Sequence, residues 1–389
     1  MLAWGNDTPA AAEGPGSWHG SYCATLLTHE IQVTPEQRTA LDAARREFSA
    51  DVIFLNSATM GLPPRRTLAA LHASLAEWAS GRAEGPAYDA WVTRARSLYA
   101  DLVRVDETLV SAGSQVSVFA GLIAASLPSG SEVLTAAGDF TSILFPFHVQ
   151  AARGVTVREA PLEHIADAVT GKTTLVSVSA VQSADGRMAD LDALVAACAA
   201  TGTRIMLDTT QAVGWLPIDA GRFAYTVSGG YKWQLIPRGT AFLTIQRELL
   251  DEMLPNNAGW YAGGDRWSSI YGAPLRLADD ARRFDVSPAW LPWIGAVPSL
   301  ELLTEVGRDA LHAHAVALAS RFCAGVDLPD QGSAIVAAIA DAEVPALMRA
   351  AGIVGVTRAG RLRLSFHVST SEEDVDRAVE VLSGHLRSS

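Results

Sequence analysis

Residues 205–233 read IMLDTTQAVGWLPIDAGRFAYTVSGGYKW. Ile205-Met206-Leu207 is too short for a helix, and it delivers an acid, Asp208, at its end. A second apolar run, 223–227, leads through Ser228-Gly229-Gly230 to Tyr231-Lys232-Trp233, one lysine between two aromatic residues. The acid and the lysine are 24 positions apart (232 − 208). That is about one βαβ unit, so two strand ends can bring them to one side of a sheet.

Working outward, residues 173–181 (TTLVSVSAV) are apolar with little alternation, as a central parallel strand requires, and end at Gln182-Ser183. A helix is expected over 188–200, closed by Gly202. Residues 132–135 form a strand ending near Asp139-Phe140-Thr141-Ser142, followed by a helix over 143–153 and a strand over 155–158. Residues 109–111 are a strand, and Ala112-Gly113-Ser114-Gln115 is a turn opening a helix over 116–126. The unbonded N–H groups of such a helix start suit an anion. A further strand spans 239–245. The pattern predicts an α/β fold, a mostly parallel central sheet with helices on both faces. Ligands of such sheets collect at the carboxyl ends of the strands. Ser114, Phe140, Gln182, Asp208 and Lys232 all fall at or beyond such ends. A carboxylate and an amine so placed suit pyridoxal phosphate (PLP). The lysine forms a Schiff base with its aldehyde, and the acid keeps the pyridine nitrogen protonated so that the ring accepts electrons.

The flanks are read more coarsely. Residues 1–34 are rich in Gly, Ala, Ser and Pro; GPGSWHG follows no strand, and no basic region precedes an apolar core, so the start reads as a loose leader rather than a secretory signal. Thr34-Pro35-Glu36-Gln37 caps a helix to about 48. A strand (51–55), a loop (56–61) and two helices (67–82 and 88–103) follow. The second helix has Trp91, Ala95, Leu98 and Leu102 on one face. Six of the ten tryptophans lie between Trp215 and Trp293, which makes 256–293 a lid or a subunit interface. Beyond it come helices at 297–306 and 308–323, an apolar run at 333–340, a helix at 344–351 and a strand at 353–356. A half-buried strand at 361–366 and an acid-started helix at 371–386 close the chain. This divides it into a leader and helix (1–50), a large cofactor-binding domain (51–275) and a smaller α+β C-terminal domain (276–389).

With 389 residues, 49% of them hydrophobic, the chain can bury a large core. A net charge of −12 argues against a nucleic-acid surface. Cys23, Cys198 and Cys323 form no CxxC pair, so neither a disulfide framework nor a zinc site is expected, and the setting reads as cytoplasmic. His312 and His314, two apart on a helix, do not share a face, so no metal is expected there. No apolar run is long enough to span a membrane.

Together these motifs resemble the class V, or cysteine desulfurase/kynureninase-like, branch of the fold-type I PLP enzymes, over roughly residues 50–385. LDTTQAVG (207–214) is similar to the family's strand-Asp-x-x-Gln segment, and SGGYKWQLIPRGTAFL (228–243) to its lysine segment. The tyrosine before the lysine is similar to the kynureninase version; desulfurases have histidine there. GDFTS (138–142) is similar to the kynureninase Asp-Phe segment, and LRLSFHVSTSEEDVDRAVEVL (362–382) to the C-terminal Arg-x-Ser segment.

The resemblance implies roles. Lys232 would carry the cofactor and then move the proton. Asp208 would pair with the pyridine nitrogen, Gln211 would hydrogen-bond the phenolic oxygen, and Phe140 would stack on the ring. Ser114, the Gln115 backbone and the Tyr231 hydroxyl would hold the phosphate. Gln182 or Ser183 would contact the ring substituents, the choice being open. Arg363 would pair bidentately with the substrate α-carboxylate. The resemblance also implies a homodimer with shared active sites, in which Trp267, Ser268 and Ser269 reach the neighbour's phosphate. The side chain of a small amino-acid-like substrate would be read by residues 56–60, the aromatic loop and Trp233. One departure stands out: desulfurases carry a mobile cysteine shortly before the Arg-x-Ser strand, whereas Cys323 sits in a helical pattern, SRFCAG. Persulfide chemistry is therefore not expected. The expected activity is PLP chemistry on an amino acid or amine through an external aldimine, transamination first because nothing marks a second acid for a leaving group. The alternatives are C–S β-elimination, kynureninase-like cleavage, or a binding protein that has kept the fold.

Overall fold

Strands that are apolar at consecutive positions must be covered on both faces, and that requirement shapes the large sheet. The structure, a computed structural model, describes residues 33–388; GPGSWHG and most of the expected leader lie outside the described residues. Helix α1 (Pro35–Arg45) starts on Thr34, whose hydroxyl accepts from the Gln37 N–H in a capping box. Then come β1 (Ile53–Phe54), α2 (Arg65–Ala79) and α3 (Gly85–Val103). The alternating part runs β2 (Val110–Gly113), α4 (Val116–Ser126), β3 (Glu132–Ala136), α5 (Phe145–His148), β4 (Thr156–Ala160), β5 (Thr173–Ser179), α6 (Leu191–Thr201), β6 (Arg204–Asp208), β7 (Tyr225–Gly229) and β8 (Ala241–Ile245). The chain continues as α7 (Trp290–Val306), α8 (Arg308–Gly325), β9 (Ile335–Ala340), α9 (Val344–Ala350), β10 (Ile353–Val354), β11 (Val356–Arg358), β12 (Arg361–Ser365), α10 (Glu372–Leu382) and β13 (Leu386–Arg387).

The large sheet has seven strands in the order β2-β8-β7-β6-β5-β3-β4. Its pairs from β4 through β7 are parallel, and β8 is antiparallel to both β7 and β2. Six strands thus point their carboxyl ends to one edge, and β8 starts from that edge. Alternate residues feed opposite cores: Leu175 and Met206 join α4 residues such as Phe119 and Ile123, while Val176, Val178, Ile205 and Leu207 join Leu98, Tyr99 and Leu300. Each such side chain contributes about 1.5–3 kcal/mol on burial. A four-stranded sheet, β11-β12-β9-β13, packs a third core with α8 and α10. The short β1 pairs in parallel with β10, tying the start of the chain to that smaller sheet. Among the described residues no helix is long and apolar enough to cross a membrane.

Three expectations are corrected. The helix expected over 143–153 is broken into 3-10 turns at Thr141–Ile143 and Val149–Arg153 around the four-residue α5. Pro146 has no N–H and its ring clashes with the preceding turn, so a helix cannot run through it from residue 143. Helix α7 begins at Trp290, not 297, and carries Pro298 inside. Burial of Trp293, Ile294 and Ala296 outweighs the proline's preference for a first turn. Strand β12 is not half-buried: it is paired on both sides, and Arg363 is 2% exposed.

Candidate active site

At the carboxyl edge of the large sheet lies a cavity of about 170 Å³. Ser114, Gln115, Phe140, Ser183, Asp208, Gln211, Tyr231 and Lys232 all line it. Topology explains this: the turns after β2, β3, β5, β6 and β7 open on the same edge.

Lys232 is buried and, among the described residues, pairs with no carboxylate. Burial brings its amine down to about 8; Asp208 opposes this, and Arg363, Arg358 and Arg238 add to it. Its Nζ lies 5.5 Å from the centre of the Phe140 ring and 5.7 Å from that of Tyr231. The backbone here is clamped: the Gly61 N–H donates to the Tyr231 carbonyl at 3.0 Å. A Cβ on Gly61 would stand 2.1 Å from the Lys232 carbonyl oxygen, so residue 61 has to be glycine. Asp208, also buried, accepts from the Thr210 N–H at 2.8 Å. Burial pushes its carboxyl up to about 6; the bonds from Thr210 and the charge of Lys232 pull the other way, and nearby Asp139 adds to the rise.

Asp139 holds the turn that presents Phe140. It accepts from the Phe140 N–H (2.7 Å), the Ser179 N–H (2.8 Å) and hydroxyl (2.6 Å), and the Gln182 amide (3.1 Å). The side chains of Gln182 and Ser183 are placed differently. Gln182 is buried with its amide turned to Asp139 and does not line the cavity; Ser183 does. Gln211 lines the cavity, but its amide is engaged. Nε2 donates to the Ala58 carbonyl and to Ser183 Oγ, both at 3.0 Å, and Oε1 accepts from Trp233 Nε1 at 2.7 Å. Ser183 Oγ accepts from Gln211 and, at 3.1 Å, from Arg363 Nη1. Both its lone pairs are used, so its hydrogen is left to donate.

Arg363 is not in the cavity wall but behind it. Nη1 also donates to the Ser183 carbonyl, and Nη2 to Thr59 Oγ1 at 2.7 Å. Among the described residues no carboxylate pairs with it, and burial, with Arg358 adding, brings its guanidinium down to about 10. Trp233 is fully buried and cannot read a substrate. Trp267, Tyr271 and Leu275 are exposed and do not line this chain's cavity. Cys198 and Cys323 are buried in α6 and α8; burial pushes their thiols up to about 11 and about 12. His312 stacks on Trp215 with centroids 5.8 Å apart, away from the cavity.

Six polar side chains of the lining were given no role from the sequence: Ser117, Ser142, Ser179, Thr210, Arg238 and Thr240. Thr210 and Ser179 sit beside motif residues and were within reach. Arg238 and Thr240 precede β8, and only its antiparallel direction brings them to this edge.

A family model described as Aminotransferase class-V matches residues 53–343. The chain is 26% identical over 296 residues to an uncharacterized aminotransferase, YcbU, of Bacillus subtilis, covering 72% of this chain and 75% of that protein. It is 27% identical over 312 residues to a kynureninase of Deinococcus radiodurans, covering 74% of each. Among solved structures, the cystine C–S lyase C-DES in complex with its product cysteine persulfide superposes with a TM-score of 0.77 at 21% identity, covering 86% of this chain and 98% of that one. A mutant of C-DES with glycine covalently linked to its PLP cofactor gives 0.78 at 21% identity, covering 90% and 100%.

Proposed function

The chain belongs to the aminotransferase class-V family of PLP-dependent enzymes, and from that membership we propose that it transfers the amino group of an amino-acid-like substrate. The observation that carries this is one cavity edge holding a buried, unpaired amine (Lys232), a buried carboxylate (Asp208) and an aromatic ring (Phe140). The residues fit the cofactor. Asp208 would face the pyridine nitrogen, Phe140 the ring, and Ser114, the Gln115 N–H and the Tyr231 hydroxyl the phosphate. Bound there, PLP supplies an aldehyde that condenses with amines and a ring that takes up the electron pair of a broken Cα–H bond.

The protein's part is proton movement and orientation. With its affinity for a proton lowered to about 8, the Lys232 amine is able to take a proton from Cα and return it near neutral pH. Asp208, walled off from water but raised only to about 6, is a carboxylate near neutral pH and would accept from a protonated ring nitrogen. The Ser183 hydroxyl donates to an anionic oxygen in the cavity. Arg363, buried without a carboxylate, would take the substrate's; the fork binds it bidentately once Thr59 and Ser183 yield. The exposed apolar residues Trp267, Ile270, Tyr271 and Leu275 suit a face covered by a second copy, and a homodimer with shared sites is part of the proposal.

A second reading, a lyase, draws on the kynureninase relative and on one observation. Burial raises the Tyr231 hydroxyl, which stays protonated beside Lys232 and is able to protonate a leaving group. The test has two stages. Borohydride should bleach the yellow protein and leave the adduct on Lys232 by mass spectrometry; an adduct elsewhere, or none, rejects the assignment. Product analysis then separates the readings. A keto acid released while the amino group stays on the protein supports transfer, and ammonia with pyruvate from a β-substituted amino acid decides for the lyase.

A further inference from the structure

The phosphate end of the cavity is assembled across one strand pair. Gly113 of β2 faces Ala241 of β8, so Ser114 and Thr240, the next residues outward on each strand, arrive side by side. Arg238 comes two residues before Thr240 and lines the same cavity, with Gln115 and Ser117 opposite on the first turn of α4. Its guanidinium lies over the Tyr231 ring, 5.0 Å from the centroid. Several arginines elsewhere take acids, Arg96 with Asp285 at 2.6 Å, Arg266 with Asp89 at 2.5 Å and Arg308 with Asp219 at 3.0 Å, whereas Arg238 stands exposed at the cavity. Arg238 takes none among the described residues. Ser114, Ser117 and Thr240 add hydroxyls to the same lining, whose one carboxylate among the described residues is Asp208.

We propose that Arg238 binds the cofactor's phosphate, its guanidinium held over Tyr231 and closing the cavity across from Ser114 and Ser117. The proposal rests on the PLP reading above and goes beyond it in naming the cation. The hydroxyls and N–H groups on that wall are neutral donors, and a phosphate dianion gains most from a charged, forked one.

The test is titration of the cofactor-free full chain with PLP and, separately, with pyridoxal, which lacks the phosphate, followed by absorbance. Arg238→Ala should weaken PLP about 10- to 100-fold, Arg238→Lys should recover part of that loss, and the affinity for pyridoxal should be unchanged in both variants. An unchanged PLP affinity, or an equal loss for both ligands, overturns the role of Arg238 and leaves the PLP reading standing. Wild-type protein that binds neither ligand overturns that reading and this proposal with it.

Discussion

The cavity edge of the large sheet and strand β12 of the small one both carry buried cationic side chains that pair with no acid among the described residues, yet they hold them in opposite ways. Lys232 and Asp208 are placed by topology: Asp208 ends β6, Lys232 follows β7, and the two strands are parallel neighbours. Arg363 projects from the middle of an antiparallel strand, and its partners Ser183 and Thr59 are 180 and 304 positions away in the chain. Backbone direction alone delivers the first set. The second depends on packing between the two sheets and so answers to anything that shifts one against the other. The groups assigned to the chemistry therefore sit on one sheet, and the group assigned to substrate recognition sits where the two meet.

If that division is right, substitutions on the two sides should fail differently. Lys232→Ala should cost about 10⁴-fold in turnover, because the only amine in the cavity wall among the described residues is lost. Loss of borohydride trapping in the same variant checks that the amine, not the fold, is responsible. Arg363→Ala should lower kcat/KM about 100-fold, mainly through KM, and leave the final extent of PLP capture by the protein unchanged. If Arg363→Ala also abolished PLP binding, the two regions would not be separable as described.

Much of this was legible in the sequence, and the limits are physical. Asp208 and Lys232 were readable because a strand end has a one-dimensional signature, an apolar run followed by a polar residue. Ser183 over Gln182 was not, because the choice depends on Asp139 drawing in the Gln182 amide from 43 positions away. Trp233 looked like a pocket aromatic beside the lysine, but its indole is spent on Gln211 and its ring is packed inside. Arg238 was invisible because apolar periodicity gives a strand's existence and not its direction. Arg363 was named from a motif, but its depth came as a correction, since alternation of charged and apolar residues ordinarily marks a strand wet on one face.

The lowered amine of Lys232 gives a gentler test of the same contrast. Only the neutral amine attacks an aldehyde, so PLP capture should speed up about tenfold per pH unit and level off near the group's own value, about 8. A lysine in water would keep accelerating to beyond pH 10. Stopped-flow absorbance across pH 6 to 10 locates the plateau. Arg363→Ala should move it slightly upward, because one of the charges pressing the amine down is gone.

The smallest effect should fall on the residue that joins the two regions. Ser183 lies on the loop after β5, lines the cavity, and accepts from both Gln211 and Arg363. Ser183→Ala removes a shared acceptor and the donor it turns to the cavity, while the backbone carbonyl that also holds Arg363 remains. One hydrogen bond of this kind is worth about 0.5–1.5 kcal/mol, or roughly 3- to 10-fold. The loss should be divided between the two sides, a rise in KM from the loosened arginine and a shift in the bound cofactor's absorbance from the missing donor. Ser183→Thr keeps the hydroxyl and should restore the absorbance. A variant that changes KM alone would show Ser183 serving only the arginine, and the link between the two sheets would then run through Thr59 and not through the cavity wall.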